Sequence, residues 1–352
     1  MDWDEARARR LARSHLAERA QPDRLVQVVR DVCGIHAQVM GSAELQLAAR
    51  VGGITQADVR AALWERRTLV KTWTLRGTLH IHPADELGLW TAARRAVVGE
   101  ADYVTDELDA VPAVVAAIGK ALAGRMLTRE ELADAVVAQV GPSPRKLASG
   151  WGYYLGDAAV AGVLCFGPPS GSRATFVHAS DWLGPQREWD PREALREVAR
   201  RYAATYGPVS HWQFREWFTS RSFTAAAARA LFDELDLPEP EHVPLAALSV
   251  RLLPEYDVYV MGFREREHLV PPAVREQVAA HGKGRYEGPA GTPFLLIDGV
   301  CAGIWSRKKT AKRIELTVEP ARKLTRGERE GIGAEAERIG SFLGLEPELS
   351  IS

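Results

Sequence analysis

Apolar positions recur along the chain in two periods, one helical and one alternating, and the switches between them mark repeated units. Three stretches open alike: an apolar residue, Ser or Thr, two variable residues, an acid or amide, then a second apolar residue. They are "ITQADV" from Ile54, "LTREEL" from Leu127 and "VSHWQF" from Val209. In each, the hydroxyl caps the first orphan N–H groups of a helix, the residue three later reaches back, and the apolar pair staples the helix start. Thr55 with Asp58, Thr128 with Glu131 and Ser210 with Gln213 are therefore expected capping boxes, and their recurrence points to a repeated unit.

The stretches downstream of each start support a repeat. After the first comes "LVKTWTLRGTLHIHP", rich in strand formers and broken at Gly77; after the second, "GVLCFGPPSGSRATFVH" gives two strand-like runs around a Gly/Pro/Ser tip. After the third come the helical "TAAAARALFDEL" and the apolar "VPLAALSVRLLPEYDVYVMG". Helices followed by a two-stranded ribbon have the order of a winged helix-turn-helix. In the first copy the preceding helices must be found upstream, in 5–19 and 23–33. Beyond about residue 285, "TPFLLIDGVCAGIWSRKKTAKRIELTVEP" predicts three strands, the first two joined at Asp298-Gly299 and the last two by a basic turn. A final helix over "RGEREGIGAEAERIGSFLG", capped by Thr325, is expected to close the chain. The predicted class is α+β: about three tandem winged helix-turn-helix units, over 1–90, 91–188 and 189–284, plus a small β-rich domain over 285–352.

Length agrees with several units, since 352 residues exceed what one hydrophobic core organises. With 46% hydrophobic and 26% charged residues the composition is that of an ordinary globular protein. A net charge of −1 gives no global attraction to nucleic acid, so DNA binding must come from local basic patches. Cys33, Cys165 and Cys301 are odd in number and far apart, which removes disulfide-framework and zinc-finger readings and points to a reducing cytoplasm. The charged start "MDWDEARARRLARSHL" has no apolar h-region and no apolar run is long enough to span a membrane, so no membrane entry or crossing is expected. Its arginines are expected on one solvated helix face. P-loop, GxGxxG, GxSxG and HExxH motifs are absent, which removes the common nucleotide-binding, hydrolase and zincin readings.

The candidate chemistry sits in "GIHAQVMG", residues 34–41. Gly34 and Gly41 favour an irregular segment, in which His36 and Gln38, two apart, share a face. An imidazole there can act as a general base, and an amide offers both an acceptor and donors. The plainer alternative is a loop histidine bonded to backbone. A second constellation is "KTWTLRGTLHIH": His80 and His82 share a strand face, Lys71 and Arg76 suit phosphate, and Trp73 suits stacking on a base or sugar. Its alternatives are core packing for Trp73 and a carboxylate partner such as Asp257 for Arg76. A third is "WSRKKTAKR", residues 305–313, where Arg307, Lys308, Lys309, Lys312 and Arg313 meet no acid and would project together from a tight turn.

Together "GIHAQVM", "VKTWTLRGTLHIHPADE", "YGPVSHWQF", "LLPEYDVYVMG" and "LLIDGVCAGIWSRK" resemble the winged-helix DNA glycosylases of the AlkZ type, over about the whole chain and in the same order. The resemblance implies tandem winged helices and a small β-domain around a concave DNA-binding channel. It implies excision of bulky alkylated purines or unhooking of interstrand crosslinks, with a catalytic motif of Gln, an apolar residue, then Gln or Asp. The matching stretch here is His36, Ala37, Gln38, whose first position departs from that pattern.

An N7-alkylguanine or N3-alkyladenine is already cationic, so its glycosidic bond breaks without a protonating acid. The remaining task is to stabilise an oxocarbenium-like sugar and to direct a water at it. Neutral His36 would take the water's proton and Gln38 would fix its direction. No lysine lies with the motif to form a Schiff base, so the expected enzyme is monofunctional and acts through water. The resemblance implies double-stranded DNA carrying alkylated purines as its partner; no cofactor or metal is expected, and a monomer is. Two other classes stay open on sequence. One is a non-catalytic winged-helix DNA-binding regulator; the other is a metalloprotein using His36, His80 and His82, for which a further ligand at a familiar spacing is missing.

Overall fold

A computed structural model describes residues 3–99, 111–141, 153–218, 221–237, 243, 248–281 and 288–352. The chain begins with α1 (Trp3–Arg13), α2 (Leu25–Asp31), β1 (Ile35–His36), α3 (Met40–Arg50), α4 (Gln56–Trp64), β2 (Leu69–Trp73) and β3 (Leu79–Pro83). It continues through α5 (Leu87–Arg95), α6 (Val111–Leu122), β4 (Met126–Thr128), α7 (Arg129–Val140), α8 (Tyr153–Val160), β5 (Leu164–Ser170), β6 (Arg173–His178) and α9 (Ala179–Leu183). Then come α10 (Pro191–Tyr206), α11 (His211–Phe218), α12 (Ala225–Asp233), β7 (Val250–Leu253), α13 (Val258–Met261) and α14 (Pro272–His281). The last elements are β8 (Phe294–Ile297), β9 (Val300–Lys309), β10 (Arg313–Pro320), α15 (Arg326–Leu343) and β11 (Glu346–Ile351).

All three capping boxes form, because each needs only residues three apart. The Thr55 N–H donates to Asp58 at 2.8 Å, the Thr128 N–H to Glu131 at 2.8 Å and the Ser210 N–H to Gln213 at 2.9 Å, while each hydroxyl accepts in return. Thr325 and Glu328 make a fourth at α15, as expected of its cap. Each such cap stabilises its helix by about 1 kcal/mol.

By contacts the chain forms two compact units, one of residues 1–59, 202–209 and 237–352, the other of 60–201 and 210–236. The second unit contains α6, β4, α7, α8 and the β5–β6 hairpin, with β4, β6 and β5 in one antiparallel sheet. Helix, strand, two helices and hairpin is an order consistent with a winged helix-turn-helix, with the Gly/Pro/Ser stretch at the tip. Leu122, Leu132, Tyr154, Phe166 and Phe176 are buried between these helices and the sheet. The antiparallel β2–β3 hairpin joins the same core through Trp73, whose ring lies 4.9 Å from that of Phe166.

The first unit holds a five-stranded sheet in the order β11-β10-β9-β8-β7. Asp298 and Gly299, both at positive φ, turn β8 into β9 as their sequence predicts. Gly303 lies so close to the neighbouring strand that an added Cβ would stand 2.3 Å from the Glu319 carbonyl oxygen, so only glycine fits. Buried Trp305 donates its Nε1–H to the Leu253 carbonyl at 2.7 Å and so ties β9 to the end of β7.

Several expectations are corrected. β7, expected in the ribbon of the third winged unit, pairs instead with β8 in the C-terminal sheet; residues 244–247 of that apolar stretch lie outside the described residues. α15 does not close the chain, because β11 comes after it and pairs in parallel with β10. Its polar alternation, "EPELSI", half-buries an edge strand and so lacks an apolar signature. The unit boundary drawn at 90 and 91 falls within α5, and that at 284 and 285 lies outside the described residues. Arg10 leaves the solvated face expected of α1: it is buried, and its guanidinium donates to the carbonyls of Tyr206, Gly207 and Pro208. Burial lowers its pKa to about 10, and the three carbonyls stand in for lost water.

Candidate active site

The motif stretch is shaped by what precedes it. At the end of α2, Cys33 and Gly34 take positive φ, and the Gly34 N–H returns to the Val29 carbonyl at 2.9 Å, which closes the helix and turns the chain into β1. Ile35 and His36 are extended, Ala37 to Val39 are irregular, and α3 begins at Met40, so Gly41 lies inside a helix rather than outside one. His36 is buried at 4% exposure, whereas Gln38 is exposed. Their expected common face is thus divided: the imidazole forms an inner position and the amide an outer one.

α3 holds the motif from behind. It is buried along nearly its whole length although Ser42, Glu44, Gln46 and Arg50 are polar. Each finds a partner, as burial requires. Gln46 donates its Nε2–H to the His36 carbonyl at 3.0 Å and accepts the Val258 N–H at 3.2 Å, so one side-chain amide joins β1 to the start of α13. One turn on, Arg50 meets Asp257 through two hydrogen bonds, of 2.8 and 2.7 Å, with neither side chain exposed. Asp257 also accepts the Tyr259 N–H at 2.9 Å and caps α13. This fork-to-fork geometry is the strong form of the Arg–carboxylate pair.

Residues 255–257 are tied one after another. The Glu255 carbonyl accepts the Ser42 hydroxyl, and its carboxylate grips Arg307 of β9 through bonds of 2.9 and 2.8 Å. The Tyr256 N–H donates to the Ala290 carbonyl at 2.8 Å, and its ring centroid lies 5.3 Å from that of His36 at a 35° tilt. Tyr256 holds φ +60°, a left-handed conformation that costs a non-glycine residue about 1–2 kcal/mol. His36 and Arg307, named separately from the sequence, therefore meet through Glu255 and Tyr256. Sequence reasoning missed Gln46, Arg50, Glu255 and Tyr256, though "PEYD" was among the stretches that carried the resemblance.

The hairpin candidates divide. Trp73 is 7% exposed and packs on Phe166 and Phe176, so its stacking role on DNA is corrected to core packing. His80 and His82 do share a face, with ring centroids 6.0 Å apart, but both are buried, so neither presents a surface to DNA. The His80 Nδ1 lies 3.1 Å from the Thr78 carbonyl. The His82 Nε2 lies 2.9 Å from the Thr74 hydroxyl, and its ring stacks on Trp90 at 4.2 Å. Half-buried Lys71 has its ammonium 5.0 Å above the Phe166 ring, and Arg76 donates to the Trp217 carbonyl at 2.7 Å. Asp257, the carboxylate suggested for Arg76, belongs to Arg50. Among the described residues, no group of three His, Cys, Asp or Glu is placed to hold a metal ion.

Burial, then the charge of Arg201, pushes the His82 imidazole down to about 3. The unfolded chain, with an ordinary histidine near 6.5, takes up a proton there first. Stability from neutral His82 is thus complete above about pH 6.5 and is lost as the pH falls, by about 1.4 kcal/mol per unit between roughly pH 6 and 4. In urea unfolding, the stability gap between the wild type and His82→Gln is expected to narrow by that slope over this range. Parallel curves would show that His82 is protonated in the folded chain.

On the basic turn, Arg307 is neutralised by Glu255, Lys308 lies 3.6 Å from Glu315, and Arg313 lies 3.2 Å from Glu346. The expectation that these charges meet no acid holds along the chain but not across the sheet. Lys309 and Lys312 are exposed at the tip.

A family model of DNA glycosylases, described as AlkZ-like, matches residues 29–342, and the chain belongs to this DNA glycosylase AlkZ-like family. Among its relatives, the interstrand DNA cross-link repair glycosylase of Streptomyces sahachiroi is 29% identical over 342 residues, which cover 86% of this chain and 87% of the relative. The solved structure of Streptomyces sahachiroi DNA glycosylase AlkZ is similar over 100% of both chains, with a TM-score of 0.83 and 26% identity. The α+β class and the family resemblance are both upheld. Of the classes left open by sequence, an enzyme is the one this family carries.

Proposed function

We propose that this chain is a monofunctional glycosylase that hydrolyses the N-glycosidic bond of N7-alkylguanine or N3-alkyladenine in duplex DNA, on bulky adducts or interstrand crosslinks. The observation that carries the reading is that His36, in the His36–Ala37–Gln38 stretch whose resemblance implies the catalytic motif, is held between Gln46 and Tyr256, within the residues that match a glycosylase family. The relative that repairs crosslinks supports the substrate class. His36 takes the proton of the attacking water while exposed Gln38 orients that water or the sugar. General-base assistance of this kind contributes about 10² to 10⁴ in rate, which suffices for a cationic leaving base. The leaving purine needs no acid, and the oxocarbenium-like sugar is trapped by the water.

DNA is held in this reading by the tip of the basic hairpin, in a channel like the one the family resemblance implies, and the protein works as a monomer in the cytoplasm, where its substrate lies. No described helix is long and apolar enough to cross a membrane. Lys309 and Lys312 make the phosphate contacts, because Arg307 and Arg313 already have carboxylate partners. Replacing both lysines with alanine is expected to weaken binding to any duplex and to lower the slope of log affinity against log salt by about 2, near 0.9 per phosphate. An unchanged slope would remove the tip from the DNA contact.

The activity itself is tested on duplexes carrying either a simple methyl or a bulky N7-guanine adduct, by following alkali-labile sites on a gel. Excision of the bulky adduct is expected. Tight binding without abasic sites under single-turnover conditions would sink the reading and favour a non-catalytic binding protein.

A further inference from the structure

Tyr256 stands at the junction of three independent clamps. On one side, Glu255 is fixed by two bonds to Arg307 and by the Ser42 hydroxyl on its carbonyl. On the other, Asp257 is fixed by two bonds to the fully buried Arg50. The Tyr256 N–H itself is held by the Ala290 carbonyl at 2.8 Å. With both neighbours and its own backbone held, the residue between them is at φ +60°, which tyrosine rarely adopts. A strained conformation persists only where its surroundings over-determine it, and such residues gather at functional sites. The side chain delivered by this strain is a partly buried aromatic ring whose centroid lies 5.3 Å from that of the His36 ring.

Glycine, asparagine or aspartate would satisfy that backbone without strain, so the backbone alone does not call for tyrosine. Tyr256 is partly exposed, whereas its neighbour Asp257 is buried. At this position an aromatic side chain meets the His36 ring, with centroids 5.3 Å apart. Gln46 fixes the His36 backbone from below, through its carbonyl, and a bond to the carbonyl does not by itself set the ring's rotation about its side-chain bonds. A neighbouring aromatic ring, tilted 35° to the imidazole, limits that rotation and aims its nitrogens.

We infer that Tyr256 is a positioning residue for His36, setting the direction in which the imidazole meets the attacking water. The inference rests on His36 being the base in the proposed reaction. Displacing a reacting group by about 1 Å can cost about 10²-fold in rate. Tyr256 acts through its ring, so phenylalanine serves in its place and small residues do not.

The test compares single-turnover excision of an N7-guanine adduct, affinity for the same duplex, and thermal melting in Tyr256→Phe, Tyr256→Gly and Tyr256→Asn. Phenylalanine is expected to keep the rate within about threefold. Glycine and asparagine, which accept positive φ, are expected to keep both melting temperature and affinity while losing about 10²-fold in rate. In a His36→Ala background, Tyr256→Gly is expected to cost nothing further. A wild-type rate in Tyr256→Gly, or the same loss with and without His36, would overturn the inference and leave the role of His36 intact. A wild-type rate in His36→Ala alone would instead overturn the parent reading, and this inference with it.

Discussion

A His36→Ala chain is expected to bind an adduct-bearing duplex as the wild type does and to excise the base about 10² to 10⁴ times more slowly. The separation of binding from rate comes from burial. At 4% exposure His36 adds little to a DNA-contacting surface, so its removal should leave affinity in place. Gln38→Ala is expected to do both kinds of harm, a loss in rate and some loss in affinity, because Gln38 is exposed. Single-turnover rates paired with a binding isotherm separate the two. Equal losses of rate and affinity at His36 would make it a binding group rather than a base.

The second large effect concerns stability. Asp257→Ala is expected to destabilise the unit of residues 1–59, 202–209 and 237–352 by about 3–5 kcal/mol, because it strands the Arg50 guanidinium, at 0% exposure, without its counter-charge. The same change removes the cap of α13 and frees the segment that carries Tyr256. Replacing both partners, Arg50→Met with Asp257→Leu, should restore much of the stability, since a buried ion pair is worth little against apolar side chains of similar size. The double variant is nevertheless expected to excise slowly, because Tyr256 is no longer held from one side. Denaturant unfolding and single-turnover excision on both proteins distinguish the outcomes; a double variant as unstable as Asp257→Ala would show that the pair contributes more than mutual neutralisation.

Sequence revealed those features whose causes are local. The capping boxes at Thr55, Thr128, Ser210 and Thr325 need only residues three apart, and the Asp298-Gly299 turn needs only two that accept positive φ. α3 was hidden because its buried face contains Ser42, Glu44, Gln46 and Arg50, polar residues that break the helical apolar period. For Ser42, Gln46 and Arg50, bonds to Glu255, His36, Val258 and Asp257 make burial possible. β11 was hidden because an edge strand half-buried by polar alternation resembles a tail. The pairing of Arg76 with Asp257 was a reasonable match of charges, but Arg50 takes the carboxylate because it lies one helical turn beyond Gln46 on α3, beside the same loop.

The candidate site was legible only in part, for the same reason. His36 and Gln38 stood out as polar residues between apolar ones. Trp73, His80 and His82 stood out too, yet a tryptophan in a core and a histidine pressed to about 3 by burial give the same letters as a DNA-facing surface. The residues that hold His36 come from α3 and from 255–257, more than 200 positions away, and no local pattern announces a tyrosine at positive φ. What the letters carried across that distance was the resemblance to one family, and it marked both ends of the site.

The proposed chemistry turns on an imidazole acting where the family resemblance implies an amide. The most direct measurement is the pH dependence of single-turnover excision of an N7-guanine adduct by the wild type and by His36→Gln, which puts there the amide the resemblance implies. The wild-type rate is expected to fall as the pH is lowered far enough to protonate the imidazole, which ends its action as a base, and the His36→Gln rate to be flat over the same range. The same acid fall in both proteins would contradict His36 as the base.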